Sequence, residues 1–193
     1  MTARFVYWMN VSLDGMIERT GEHGGEGDWL RITAPLHRVF NERARTMSMD
    51  VQGRVIYEIM EQAWPAARHD ASLPDFMREY GEIWTDLPKI LVSRTRTSAD
   101  HNTRIVGDDA IAQLAAPRAE SEGDIGVGGA TLATQLLKAG LLDELLLFVH
   151  PVVLGSGRPL FDEQVEPLQL DLIEAQEYDE GVGMRRYAIR HDG

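Results

Sequence analysis

Residues 124–161 read DIGVGGATLATQLLKAGLLDELLLFVHPVVLGSGRPLF. The short apolar run Ile125, Gly126, Val127 stops at the pair Gly128 and Gly129. A helix-favouring stretch follows over residues 131–139 and ends at Gly140, and a second apolar strand runs over residues 144–150. Strand, glycine turn, helix and strand make the layout of a βαβ unit. Glycine has no Cβ, so backbone there can approach a ligand closely. The helix that starts at the turn offers unpaired N–H groups and a positive dipole end to an anion. The stretch therefore reads as a diphosphate-binding turn. It lacks a full GxGxxG, so a second reading stays open, in which the two glycines only turn the chain tightly.

The rest of the chain is consistent with one α/β domain. Its 193 residues suffice for a single domain with a sizeable core. A charged fraction of 26% and a hydrophobic fraction of 44% are ordinary for a soluble globular protein. There is no cysteine, which excludes a disulfide-stapled fold and thiol chemistry. Residues 1–15 read as a first strand and not as a signal peptide, and no window approaches a membrane span. A net charge of −12 argues against a nucleic-acid partner, which needs a basic face. A small anionic cofactor is still allowed, because it needs only a few local arginines and helix termini. The histidines show no metal-ligand spacing, so no metal site is expected.

Outward from the glycine unit, strand and helix patterns alternate. Residues 5–9 are apolar and aromatic and predict a buried strand. Residues 10–31 are loop-like and glycine-rich, a composition suited to a binding loop. Thr33 followed by Pro35 predicts a helix start. A short strand ends at Gly53, and a helix is expected over residues 55–62. Residues 64–75, with Pro65 and Pro74, read as a loop, and residues 75–84 as a short helix. Residues 88–93 predict a buried strand and residues 104–106 another. Residues 109–116 predict a helix, and residues 117–123 a polar connection. After Pro151 come short extended pieces. Residues 168–176 and 182–190 then alternate around the turn at 178–181, which is a hairpin signal. The expected architecture is a mostly parallel sheet with an antiparallel hairpin at its C-terminal end.

Four segments, in order, carry a resemblance over nearly the whole chain. They are VSLDG (11–15), Gly53-Arg54 with Tyr57-Glu58, KILVSRT (89–95), and the block from Gly128 to Phe161 with GGATL, GLLDEL and HPVVLGSGRPLF. The chain resembles the dihydrofolate-reductase-like proteins that include the reductase domain of the bacterial riboflavin-synthesis enzyme, the RibD C-terminal branch. That resemblance implies a single three-layer domain over residues 1–193. It also implies a cytoplasmic NADPH-dependent reductase of the dihydrofolate or 5-amino-6-(5-phosphoribosylamino)uracil reductase type, with a small heterocyclic or sugar-linked substrate. A homodimer is implied too, since the C-terminal hairpin would otherwise leave an exposed sheet edge. The fold does not fix the substrate, because its members serve several reductions.

Carried over residue by residue, the resemblance makes Gly128, Gly129, Ala130 and Thr131 the diphosphate turn, with the Thr131 hydroxyl as an extra donor. It implies a cis peptide between Gly128 and Gly129. Gly53 and Arg54 match a second phosphate contact, although Ile56 stands where relatives often have a Thr hydroxyl. Ser93, Arg94 and Thr95 match the adenosine ribose and 2′-phosphate site, which an Arg fork suits. Asn10, Ser12 and Asp14 lie where the first strand meets the nicotinamide. Asp14 is a candidate proton donor, or it only caps the turn at Gly15. Trp29 could cover substrate or plug the core edge. His37 falls near the place where dihydrofolate reductases carry a carboxylate, with Asn41 one turn later. No acid lies in residues 35–41, so folate is not the expected substrate. His37 is the second candidate proton donor, or a structural histidine. His150 is expected to pack near the glycine turn as structure. The missing helix acid and Ile56 also keep a rival open, a pyridine-nucleotide-binding protein without catalysis, such as a sensor or a degenerate family member.

Overall fold

A computed structural model describes residues 3–20, 27–162 and 167–191. Six strands run parallel: β1 (Phe5–Ser12), β3 (Met49–Gly53), β4 (Lys89–Val92), β5 (Thr103–Val106), β6 (Ile125–Gly128) and β7 (Leu142–His150). With β9 (Leu170–Glu177) and β10 (Gly183–Ile189) they form one sheet, ordered β5-β4-β3-β6-β1-β7-β10-β9. The last two strands are the predicted antiparallel hairpin, β10 pairing with both β7 and β9. β6 and β7 both pair in parallel with β1, so the glycine unit is a crossover that straddles β1. A small second sheet joins β2 (Met16–Glu18) to β8 (Arg158–Pro159). β2 lies inside the stretch read as loop, whose residues 21–26, including Gly21, Gly24 and Gly25, fall outside the described residues.

Side-chain alternation along β1 builds the three layers. Phe5 and Tyr7 face one side and join Val51, Leu132 and Leu136 in the larger core. Leu132 and Leu136 belong to α6 (Ala130–Lys138), the helix after the glycine turn. Val6 faces the other side and packs with Leu36, Phe40, Phe148 and Met184. Leu36 and Phe40 come from α1 (Ala34–Thr46), whose start is capped by Thr33 and carries Pro35, as its sequence predicts. A salt-bridge network of Arg4, Asp124, Glu144 and Arg186 stitches the rim of β1, β6, β7 and β10 together.

Two helical stretches differ from the sequence reading. α2 (Arg54–Ala67) runs through Pro65, which the sequence suggested as loop. Proline removes one backbone donor, but here its helix ends within a turn, and packing holds it. α3 (Asp75–Asp86) crosses α2 so closely that a Cβ at Gly81 would stand 2.7 Å from Trp64 O and from Arg68 N. The helix expected over 109–116 is two short ones, α4 (Ala110–Gln113) and α5 (Ala115–Glu120). Pro117 lies in the first turn of α5, where a missing N–H costs nothing.

Candidate active site

A cavity of about 430 Å³ lies between the sheet and the helices α1, α2 and α3. Trp8, Asn10, Asp50, Gln52, Gly126 and Gly128 contribute from the sheet. Phe40 and Ala44 contribute from α1, Ile56, Ile59 and Met60 from α2, and Tyr80 from α3. Trp29 and Arg158 line it from the loop side. At the carboxyl ends of β3 and β6 the cavity reaches Gly53, Arg54, Gly129, Ala130 and Thr131. Ligands of open parallel sheets collect at such strand ends.

The glycine turn is built as a donor surface. Gly129 stands at φ +101°, a backbone shape that side chains disfavour, and it caps α6. The N–H groups of the first turn of α6 have no partner inside the helix. The expected cis bond is absent: the described residues contain no cis peptide, and the positive φ of Gly129 makes the turn instead. Thr131 Oγ1 is already engaged, donating to Asp162 at 2.7 Å and accepting from Arg158 at 2.8 Å. Arg54 begins α2 beside this turn and pairs with Glu58 at 2.9 Å.

Ser93, Arg94 and Thr95 follow β4 and do not line the cavity. They flank it, since Val92 pairs with Gly53 at the neighbouring strand end. Ser93 Oγ accepts from the N–H groups of Thr95 and Arg96 and so shapes the turn. Arg94 is exposed and makes no ion pair among the described residues, whereas Arg96 is bound to Glu61.

Asn10 and Trp29 both reach the cavity, and His150 fixes them. His150 Nδ1 accepts from Arg31 N at 2.9 Å, so its Nε2 carries the proton and donates to Asn10 Oδ1 at 3.0 Å. The amide nitrogen of Asn10 is then left for the cavity. Trp29 packs edge-on against the same imidazole, with ring centroids 5.6 Å apart. Burial lowers the His150 pKa to about 4, which keeps the ring neutral. His150 thus sits under Asn10 and Trp29, not under the glycine turn as its sequence neighbourhood suggested.

Four other expected residues do not line the cavity. Ser12 Oγ donates to Asp14 and accepts from Met16 N, holding the turn after β1. Asp14 also accepts from Leu154 N at 3.0 Å and Gly155 N at 2.8 Å. Its hydrogen bonds, Ser12 first, lower its pKa to about 2, so near neutrality it is a carboxylate with no proton to give. Asp14 is a clip between two loops rather than a proton donor. His37 is only 8% exposed and is ringed by Phe40, Trp64, Phe76 and Tyr80. Its Nδ1 lies 3.2 Å from Asn41 Oδ1, and burial lowers its pKa. Asn41 spends its amide nitrogen on Phe76 O and Glu79. His37 and Asn41 therefore tie α1 to α3 and do not face a substrate.

Residues 5–184 match the family model of the RibD C-terminal domain. The chain belongs to this family. The uncharacterized protein YyaP of Bacillus subtilis (strain 168) is 28% identical over 180 residues, covering 93% of this chain and 91% of YyaP. A putative riboflavin biosynthesis protein from Shewanella sp. PV-4 superposes with a TM-score of 0.71 at 21% identity, over 99% of this chain and all of that one. Dihydrofolate reductase from Enterococcus faecalis, complexed with NADP(H), gives a TM-score of 0.62 at 15% identity, over 99% of this chain and 100% of that one. At these identities the two structures establish the shared dihydrofolate-reductase-like fold.

Within this RibD C-terminal fold, two cavity residues escaped the sequence reading. Asp50 and Gln52 alternate on β3 and face the α1 side, opposite Val51. Asp50 is partly accessible, and its open surface faces the cavity. Burial raises its pKa to about 6, opposed by Lys89 and by a hydrogen bond from Gln52. Among the described residues no cation lies within ion-pair distance of it. Lys89 directs its Nζ to the carbonyls of Trp84 and Leu87 instead. Gln52 is 4% exposed, and its Oε1 has no hydrogen-bond partner. The only sequence signal was the period of two in Asp50-Val51-Gln52.

Proposed function

We propose that the chain is an NADPH-dependent reductase acting on a small heterocyclic or sugar-linked substrate, of the riboflavin-pathway type. One observation carries the reading: an apolar-walled cavity that opens at one end onto a glycine turn and a helix N-terminus. The residues fit a pyridine dinucleotide. The first-turn N–H groups of α6 and the Arg54 side chain suit the diphosphate. Arg94, exposed and unpaired among the described residues, suits a 2′-phosphate. When bound, the dihydronicotinamide supplies the hydride. The protein orients the reactants. Asn10, held by His150, offers an N–H donor at the cavity wall. Trp8, Phe40, Ile56 and Met60 keep water out of the space where substrate sits.

Nicotinamide fluorescence on titration with NADPH, followed by cofactor oxidation over a panel of heterocyclic and sugar-linked substrates, tests this reading. Saturable binding with turnover supports it, and absence of NADPH binding overturns it. Binding without turnover over a broad panel favours the sensor or degenerate member.

The same reading includes a homodimer built on the edge strand β9, where Leu172 and Ile173 are more than half exposed. Light scattering at micromolar concentration is expected to give twice the chain mass, and a monomer mass removes the dimer. A cytoplasmic setting goes with the NADPH reading. Among the described residues no helix is long and apolar enough to cross a membrane.

A further inference from the structure

The helix wall of the cavity carries a polar group that the reductase reading does not use, the hydroxyl of Tyr80. Tyr80 lies on α3 and lines the cavity with Phe40 and Met60. Its ring is fixed on two sides. The Trp64 ring packs edge-on with centroids 4.5 Å apart, and the His37 ring with centroids 5.5 Å apart. Gly81, the next residue, has no side chain to hold α3 off Trp64. The neighbours in this cluster satisfy their own polar atoms: Trp64 Nε1 donates to Met60 Sδ, and His37 Nδ1 meets Asn41 Oδ1. Buried tyrosines ordinarily find a partner for the hydroxyl. Tyr7 and Tyr57 do so, donating to Leu160 O and Asp100 O. Tyr80 Oη makes no hydrogen bond among the described residues, to Asp50 included, and it is open to the cavity rather than sealed in the core. A rigid ring thus holds a free hydroxyl at the cavity wall.

Burial, with the nearby Asp50 charge added, pushes the Tyr80 pKa up. The phenol therefore stays neutral and is a hydrogen-bond donor, not a source of protons. On the sheet side, Asn10 also offers a donor, because its Oδ1 is taken by His150 and its amide nitrogen is left. Between the two, Trp8, Phe40 and Ile56 are flat or apolar. Neutral donors on two walls of an aromatic slot suit a planar ring that carries carbonyl oxygens. We propose that Tyr80 is a specificity residue whose hydroxyl donates to a carbonyl oxygen on a planar ring held in the cavity. The substrate class is then a carbonyl-bearing heterocycle. This assignment rests on the reductase reading for calling the ring a substrate, but the contact itself is testable without turnover.

The probes are 1,3-dimethyluracil, which has ring carbonyls and no N–H, and 1,3-dimethylbenzene, of similar outline with no acceptor. Titration calorimetry is run on the protein alone and on the protein saturated with NADPH. The test variant, Tyr80→Phe, keeps the ring and its contacts and removes only the hydroxyl. It should weaken dimethyluracil by about three- to tenfold, the range of a neutral hydrogen bond, and leave dimethylbenzene and NADPH affinities unchanged. The carbonyl stretch of bound dimethyluracil should move to lower wavenumber in the wild-type protein, and that shift should be lost in the variant. A wild-type protein that does not bind dimethyluracil would overturn the proposal. So would a Tyr80→Phe protein, folded by circular dichroism, with unchanged dimethyluracil affinity or an unchanged carbonyl band. Equal weakening of both probes would reduce Tyr80 to packing and overturn it too. The reductase reading fails separately: a protein that holds dimethyluracil through Tyr80 but never binds NADPH keeps the contact and removes the reductase. Loss of the Tyr80 effect with intact NADPH binding does the reverse.

Discussion

Two walls of the cavity are made of opposite chemistry. At the glycine turn, the groups on offer are donors: backbone N–H at the start of α6 and the guanidinium of Arg54. On β3 they are acceptors: the Asp50 carboxyl, which lines the cavity, and the Gln52 amide oxygen, buried where the strand lies in register with Gly128. The donor end is largely backbone, so its character survives many side-chain changes. The acceptor end is two side chains on a short strand.

The comparison is most exposed at the acceptor end. Asp50 has its pKa raised from 3.8 to about 6 by burial, so its contribution to stability is full below pH 3.8 and lost as pH rises through 6. Asp50→Asn should therefore be the more stable protein at pH 8, by about 3 kcal/mol, with the advantage gone near pH 4. Urea melts across that range check it. A pH-independent difference would mean that the carboxyl is better hydrated than its place in the cavity indicates.

The donor end is tested next through its backbone. Gly129→Ala places a side chain at φ +101°, a strain of about 1–3 kcal/mol. NADPH affinity should drop by about tenfold or more, while the fold persists by circular dichroism. Normal NADPH binding by this variant would remove the phosphate turn from the reading. At the flank of the same end, Arg94→Ala should weaken NADPH by about tenfold and NADH hardly at all, the low end for a charged hydrogen bond at an exposed site. Equal losses for both cofactors would move the 2′-phosphate elsewhere.

The smallest effect belongs to the carboxylate that lies off the cavity. Asp14 is held below its ordinary range, so its contribution is present above pH 3.8 and lost as pH falls through about 2. Asp14→Asn should lower the melting temperature slightly at neutral pH, and the difference should shrink as acid is added. NADPH oxidation should keep its pH profile, because no proton passes through Asp14. A displaced profile would restore it as a proton donor.

Much of this was legible in the sequence. The glycine block, the strand over 88–93 and the C-terminal hairpin each carried a local pattern that tertiary packing left alone. The donor end was legible for the same reason, since a turn and a helix start are local features. The acceptor end was not. Asp50, Val51 and Gln52 alternate as any surface strand does, and only the placement of α1 and α3 turns the polar face inward onto a cavity. His37 and Asn41 show the converse. Their spacing puts them on one helical face, but Phe76, Glu79 and Tyr80 of α3 decide what that face meets, and α3 lies far along the chain. Asp14 beside Gly15 announced a turn, and the turn is what it serves.

Gly81 touches no ligand-facing atom, yet it sets how near α2 and α3 can lie. Ile56, Ile59 and Met60 hang from one of those helices and Tyr80 from the other. A single methyl at position 81 would wedge the pair apart and widen the slot between their side chains and the sheet. The bore of the site is thus governed from outside it. A lineage or an engineer seeking bulkier molecules has a hinge to loosen that leaves every contacting residue as it stands.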